Sequence, residues 1–191
     1  MKHTTILGIL ICLLAIMSCE QVKEQAYKMS PMDTVKYEND LFSLQITYGR
    51  PFKKDRLIFG TKEEGALVPY GEIWRTGAND ATEIMVTKDI TINGQAVPKG
   101  KYSVYTIPGE RDWTVAINKK IGYWGKSPVS EVFEPEQDLL RVQVPSQQLA
   151  KTMDQFTMTV VPSTSPNKLT WVMSWDKTQV RIPMQIPAAN N

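Results

Sequence analysis

The chain has 191 residues, 42% of them apolar and 22% charged, with a formal net charge of +2. These values exclude a collagen-like, coiled-coil or wholly disordered chain. So small a charge leaves no electrostatic footprint for nucleic acid. The length is ample for one hydrophobic core, so no disulfide or metal is needed to staple the fold.

The first element is an N-terminal leader. Lys2 gives it a positive start, and Ile6 to Met17 is an apolar run containing one glycine. That run has the length of a secretion signal's apolar region. It falls short of the ~20 residues that span a bilayer. Ile16-Met17-Ser18-Cys19 follows, and it resembles the bacterial lipoprotein box, in which the Cys becomes the acylated first residue of the mature chain. Residues 1–18 are thus expected to be removed and Cys19 to carry the lipid. The competing reading is an ordinary signal peptide with an incidental Cys. Acyl chains on Cys19 would hold the protein on a membrane, since two chains anchor where one binds only marginally. The expected location is the bacterial cell envelope, periplasmic or surface-exposed.

This assignment narrows the available chemistry. The two cysteines are Cys12, inside the leader, and Cys19; the one histidine is His3, also in the leader. A mature chain without His or free Cys builds no Ser-His-Asp triad, Cys-His pair or usual zinc site. Carboxylate, Lys, Tyr or Ser-Lys chemistry stays open. The reading therefore assigns no catalytic residue, no metal and no cofactor.

Residues 19–38 are polar without a sustained apolar period and read as a flexible tether. From residue 39 to 187 the chain reads as one domain, with 188–191 as a tail. Phe42, Leu44, Ile46 and Tyr48 alternate with polar residues, the pattern of a strand with one buried face. Short strands are expected near Arg56–Phe59, Ile84–Val86 and Ile90–Ile92, the last closed by the hairpin dipeptide Asn93-Gly94. Tyr102–Thr106, Trp113–Ile117, Leu140–Val144, Phe156–Val160, Leu169–Trp175 and Val180–Ile186 continue the alternation. The one helical hint is Ser146 to Gln155, where Leu149 and Met153 stand four apart, enough for a turn or two. About ten short strands with Gly and Pro punctuation predict an all-β domain, an antiparallel β-sandwich or related barrel.

The densest segment is Gly65 to Thr82, which mixes three glycines, a proline, two aromatics, Arg75 and Asn79-Asp80. Its string from Leu67 to Thr82, with Trp74-Arg75-Thr76-Gly77-Ala78-Asn79 at the centre, resembles the hallmark of the bacterial domain of unknown function numbered 2911. Three further blocks share the resemblance: Ile46 to Pro51, Asn93-Gly94 with Pro98 to Ser103, and Ile107-Pro108-Gly109 with Trp113. Asp80 departs from the pattern, which leads one to expect Glu there. The resemblance covers about residues 40 to 186. It implies a secreted, often lipid-anchored β-rich domain, and it brings neither an activity nor catalytic residues.

The residues themselves offer two kinds of site. Arg75 is a five-donor fork suited to carboxylate or phosphate, and Arg50, Asn79 and Asp80 could join it. Tyr70, Trp74 and Trp124 could stack on sugars or cap an apolar ligand. The competing reading makes Trp74 core, pairs Arg75 with Asp80 or Glu83, and leaves Asn79 to hold a turn. The candidate ligand-binding set is Arg50, Tyr70, Arg75, Asn79, Asp80 and Trp124. The expected role is a lipid-anchored envelope module that binds a glycan, a small anion or another envelope protein. The alternative is a carbohydrate-active enzyme working through two carboxylates such as Asp80 and Glu83.

Overall fold

The computed structural model describes residues 22, 24–26, 28–40, 42–122, 133–165 and 167–186. Helical residues 24–26, 28 and 29 lead into β1 (Met32–Asn39) and β2 (Phe42–Gly49). Two short strands follow, β3 (Phe59–Gly60) and β4 (Val68–Pro69). Next come β5 (Thr82–Val86), β6 (Ile90–Ile92), β7 (Gln95–Val97), β8 (Gly100–Ile107) and β9 (Asp112–Asn118). The chain ends in two long strands, β10 (Asp138–Pro162) and β11 (Lys168–Gln185). Nine strands hydrogen-bond in the order β1-β2-β5-β8-β9-β10-β11-β6-β7, while β3 and β4 pair apart from them.

β10 makes the sandwich. Its first part pairs with β9, from Asp138 to Pro145, and from Ser146 onward it pairs with β11. One strand thus carries the sheet round from one layer to the other without closing a barrel. The turn is made by bulges: residues 148 to 157 of β10 lie opposite only 174 to 178 of β11. Extra residues in one strand bend it and raise its twist. On β11 the positions that enter the core shift from odd numbers (Leu169, Trp171, Met173) to even ones (Val180, Ile182, Met184) across Asp176, whose φ is +52°.

Three expectations are corrected here. Ser146–Gln155 is bulged strand rather than a turn of helix. Leu149 and Met153 are half-buried, and the segment's backbone is used by its neighbours instead. Phe156 N–H donates to Pro51 O, and Lys53 N–H to Asp154 O. The tether expected over 19–38 also gives way to a strand at Met32. There Val35 and Tyr37 pack against the core while Asp33 forms an ion pair with Arg50 at 3.2 Å. The pairs of short strands expected at 140–144 and 156–160, and at 169–175 and 180–186, are each one continuous strand.

Between the layers lies one core. Phe42, Leu44, Ile46 and Tyr48 of β2 face Trp171, Met173 and Trp175 of β11, all buried. At one end the core is a cluster of rings. Phe59, Trp74, Trp113, Phe156 and Trp175 meet with centroids 4.9–6.0 Å apart. Most of these contacts are edge-on, the arrangement the ring quadrupole favours. Trp171 and Trp175 keep buried Nε1 donors without a partner among the described residues.

Candidate functional site

The segment from Gly65 to Thr82 lies over this aromatic end of the core, and its composition follows from how it is held. Trp74 exchanges backbone hydrogen bonds with Thr106 of β8, N–H to carbonyl in both directions. Its indole Nε1 donates to Gly77 O at 3.1 Å, which curls the following loop back over the ring. Gly71 N–H donates to Pro108 O, so the Ile107-Pro108-Gly109 block supports the same loop. Thr76 is buried with φ +56°, a conformation a β-branched residue adopts only under constraint. Its hydroxyl donates to Trp74 O and Thr106 Oγ1, and its carbonyl accepts from Thr82 Oγ1 at 2.7 Å. Strain of this kind gathers where a structure holds a binding or catalytic constellation.

Gly49 explains a second block. A Cβ there would sit 2.0 Å from Ala78 O, so β2 and the 76–79 loop cross at a distance only glycine permits. The Tyr48-Gly49-Arg50-Pro51 and Trp74-to-Asn79 strings are two halves of one crossing.

Beside that crossing opens a cleft of about 920 Å³, within the range of small-molecule sites. Its lining includes Trp74 and Trp175, which are 8% and 1% exposed and belong to the core. One side is the loop after β2, with Phe52, Lys54 and Arg56; another is the loop between β3 and Trp74, with Lys62, Leu67 and Glu72. A third is Arg75 to Asn79, and the last is Met29 and Ser30 from the N-terminal segment. The lining carries four cationic side chains, Lys54, Arg56, Lys62 and Arg75, against one carboxylate, Glu72. Lys62 pairs with Glu72 at 3.1 Å in solvent. Arg56 is fixed by donating to the carbonyls of Phe52 and Lys53. Arg75 is half-buried and donates to Asn79 O at 3.0 Å; burial lowers its pKa.

Of the candidates read from the sequence, the structure brings Arg75 and Asn79 to the cleft. Asn79, at φ +65°, donates its side-chain amide to the carbonyls of Ala26 and Ser30, each at 3.2 Å. Arg50 goes elsewhere. It pairs with Asp33 and donates to Phe156 O and Thr157 Oγ1, tying β1, β2 and β10 together. Tyr70 packs against the core, and burial raises its pKa. Neither Tyr70 nor Asp80 is among the cleft's lining residues. Glu83 pairs with Lys101 at 2.7 Å. Trp124 and Cys19 lie outside the described residues. Sequence reasoning missed Lys54, Arg56 and Lys62. They are ordinary loop cations, and only the fold carries the two loops to the same mouth.

A second polar cluster lies on the outer face of the β8-β9-β10 layer. The Tyr105 hydroxyl donates to Asp138 Oδ2 at 2.6 Å and accepts from Arg141. Asn118 Nδ2 donates to Asp138 Oδ1 at 2.7 Å. Burial and the Asp138 carboxylate push the Tyr105 pKa well above its usual value. These groups satisfy one another, as a buried polar network must, so the cluster serves as a structural clasp.

No curated protein and no solved structure matches the chain. A family model does: the one described as protein of unknown function DUF2911 covers residues 30–184, from the edge of the cleft's N-terminal wall to the end of β11. The chain is a member of the DUF2911 family.

Proposed function

We propose that the protein is an envelope binding module whose cleft takes a small organic anion with an apolar or aromatic body. The observation that carries this reading is the cleft's composition. Lys54, Arg56, Lys62 and Arg75 converge on one opening around the Trp74 and Trp175 end of the core, with Glu72 as the one acid among the described lining residues. A concave wall with an excess of one sign of charge focuses field into the opening and concentrates counter-ions there. Arg56, held by the carbonyls of Phe52 and Lys53, and Arg75, held by that of Asn79, are pre-oriented forks for a carboxylate, sulfonate or phosphate. The apolar atoms of Phe52, Leu67 and Trp74 suit the body of such a ligand.

Lipid attachment at Cys19 belongs to the same reading. It would hold the cleft at the membrane surface, close to ligands of the envelope. This is supported by the Ile16-Met17-Ser18-Cys19 string alone.

The test is a titration of the protein with 8-anilinonaphthalene-1-sulfonate, an aromatic sulfonate whose fluorescence rises in apolar sites. The expected result is saturable binding that weakens about tenfold or more when Lys54→Gln and Arg56→Gln are combined, as loss of charged hydrogen-bond donors implies. Unchanged affinity in that double variant would overturn the proposal.

A further inference from the structure

We infer that the N-terminal segment is part of the binding site, with Asn79 as the positioning residue that holds it there. The inference rests on the anion-binding reading of the cleft and names a wall and a coupling which that reading does not contain. Met29 and Ser30 line the same cleft as the loops that carry Lys54 and Lys62. Hydrogen bonds set the segment in place. Ser30 N–H closes a helical turn onto Ala26 O at 3.0 Å. Asn79 Nδ2 then reaches Ala26 O, which also accepts from Ser30 N–H, and Ser30 O, each at 3.2 Å; the second contact caps a carbonyl past the end of the helical turn. The Asn79 carbonyl accepts from Arg75 Nη1 at 3.0 Å. One residue therefore links the wall to a cation of the cleft: its side chain holds the segment and its main chain holds the guanidinium.

The left-handed backbone of Asn79, φ +65°, is one that Asn tolerates better than most residues. Gly would keep that backbone and the Arg75 contact while deleting the amide. A ligand that touches Met29 and Ser30 favours the docked segment, and docking favours the ligand to the same degree, because coupling is reciprocal. If Cys19 carries a lipid, the wall is also the link to the membrane.

The experiment uses the full chain and the same aromatic sulfonate. Met29 is 55% exposed, so changing it should leave folding intact. Met29→Glu is expected to weaken binding and Met29→Lys to strengthen it, in opposite directions, because the side chain faces the anion. Asn79→Gly is expected to lower affinity about fivefold, the lower end of ordinary coupling between sites. In wild type, saturating sulfonate should slow tryptic cleavage after Lys28 by a similar factor, and in Asn79→Gly it should not. Identical affinities for Met29→Glu and Met29→Lys, or Lys28 cleavage unaffected by ligand, would overturn the inference. In that case binding that still responds to Lys54→Gln with Arg56→Gln leaves the cleft reading standing. Binding indifferent to that pair removes both.

Discussion

Gly49→Ala should be among the most damaging single-methyl changes in this protein, and the structure says why. The added Cβ would lie 2.0 Å from Ala78 O and 2.9 Å from Ala78 C, whereas real Cβ atoms essentially never approach another atom within 3.0 Å. Something must move by about 1 Å, and the obstacle is backbone. On one side β2 is fixed in the sheet between β1 and β5. On the other, the 76–79 loop is pinned by Trp74 Nε1 to Gly77 O, and by Asn79 to Ala26 and Ser30. Overpacking a tight site costs about 1–3 kcal/mol, and each hydrogen bond broken by the shift adds about 1 kcal/mol. The expected loss is therefore about 3–5 kcal/mol. The assay is a urea melt of wild type and Gly49→Ala beside Gly60→Ala. At Gly60 the nearest obstacle, at 2.9 Å, is the far end of the Glu64 side chain. That chain can swing aside, so Gly60→Ala should lose about 1 kcal/mol or less. A Gly49→Ala protein within 1 kcal/mol of wild type, or a Gly60→Ala protein equally damaged, would refute the argument.

Trp74→Ala removes a ring that touches Phe59, Trp113, Phe156 and Trp175; a loss of about 3–5 kcal/mol is expected, read in the same melt. Tyr105 titrates higher in the folded than in the unfolded state, because burial and Asp138 favour its neutral form. Its contribution is thus fully present below the unfolded pKa of about 10 and is lost as pH rises from there toward the folded value. Stability should fall above pH 10, with a slope of up to about 1.4 kcal/mol per pH unit from this group. Tyr105→Phe should flatten that slope in pH-dependent urea melts, and an unchanged slope counts against the clasp. Labelled palmitate should enter the wild-type protein expressed in a bacterial host and be absent from Cys19→Ala; equal label in both would remove the lipid anchor.

The β-sandwich was legible because its buried faces follow a period of two. Phe42 to Tyr48 and Leu169 to Trp175 alternate in the sequence as they alternate in the core. Even the parity change in β11 is written there, from odd Trp175 to even Val180, although only the structure assigns it to Asp176, the positive-φ residue opposite the bulges of β10. β1 was not legible. It is a half-buried edge strand whose one inward pair, Val35 and Tyr37, is too short a pattern to stand out among charges. The bulged middle of β10 misled because its backbone serves the loop after β2 while its side chains remain largely in solvent, so burial imposes no period on it. At the site, the Trp74-to-Asn79 string announced itself by composition. Its partners at Lys54, Arg56 and Lys62 come from loops brought together by tertiary packing, and no local pattern encodes that meeting. Arg50 resembled a site residue for the same reason that Arg75 did, an arginine just after a strand. What separates them is place: Arg75 lines the cleft, whereas Arg50 is tied to Asp33, Phe156 and Thr157.

The central claim is that the cleft between the loop after β2 and the 75–79 loop holds an organic anion. Crystals soaked in 4-bromobenzenesulfonate and measured at the bromine edge test it most directly, because the anomalous signal locates the ligand without reference to any binding curve. The account predicts a bromine peak over the Trp74 and Trp175 end of the core, with the sulfonate against Lys54, Arg56 or Arg75. Bromine found only at other surfaces of the protein, with the cleft bare, would contradict it.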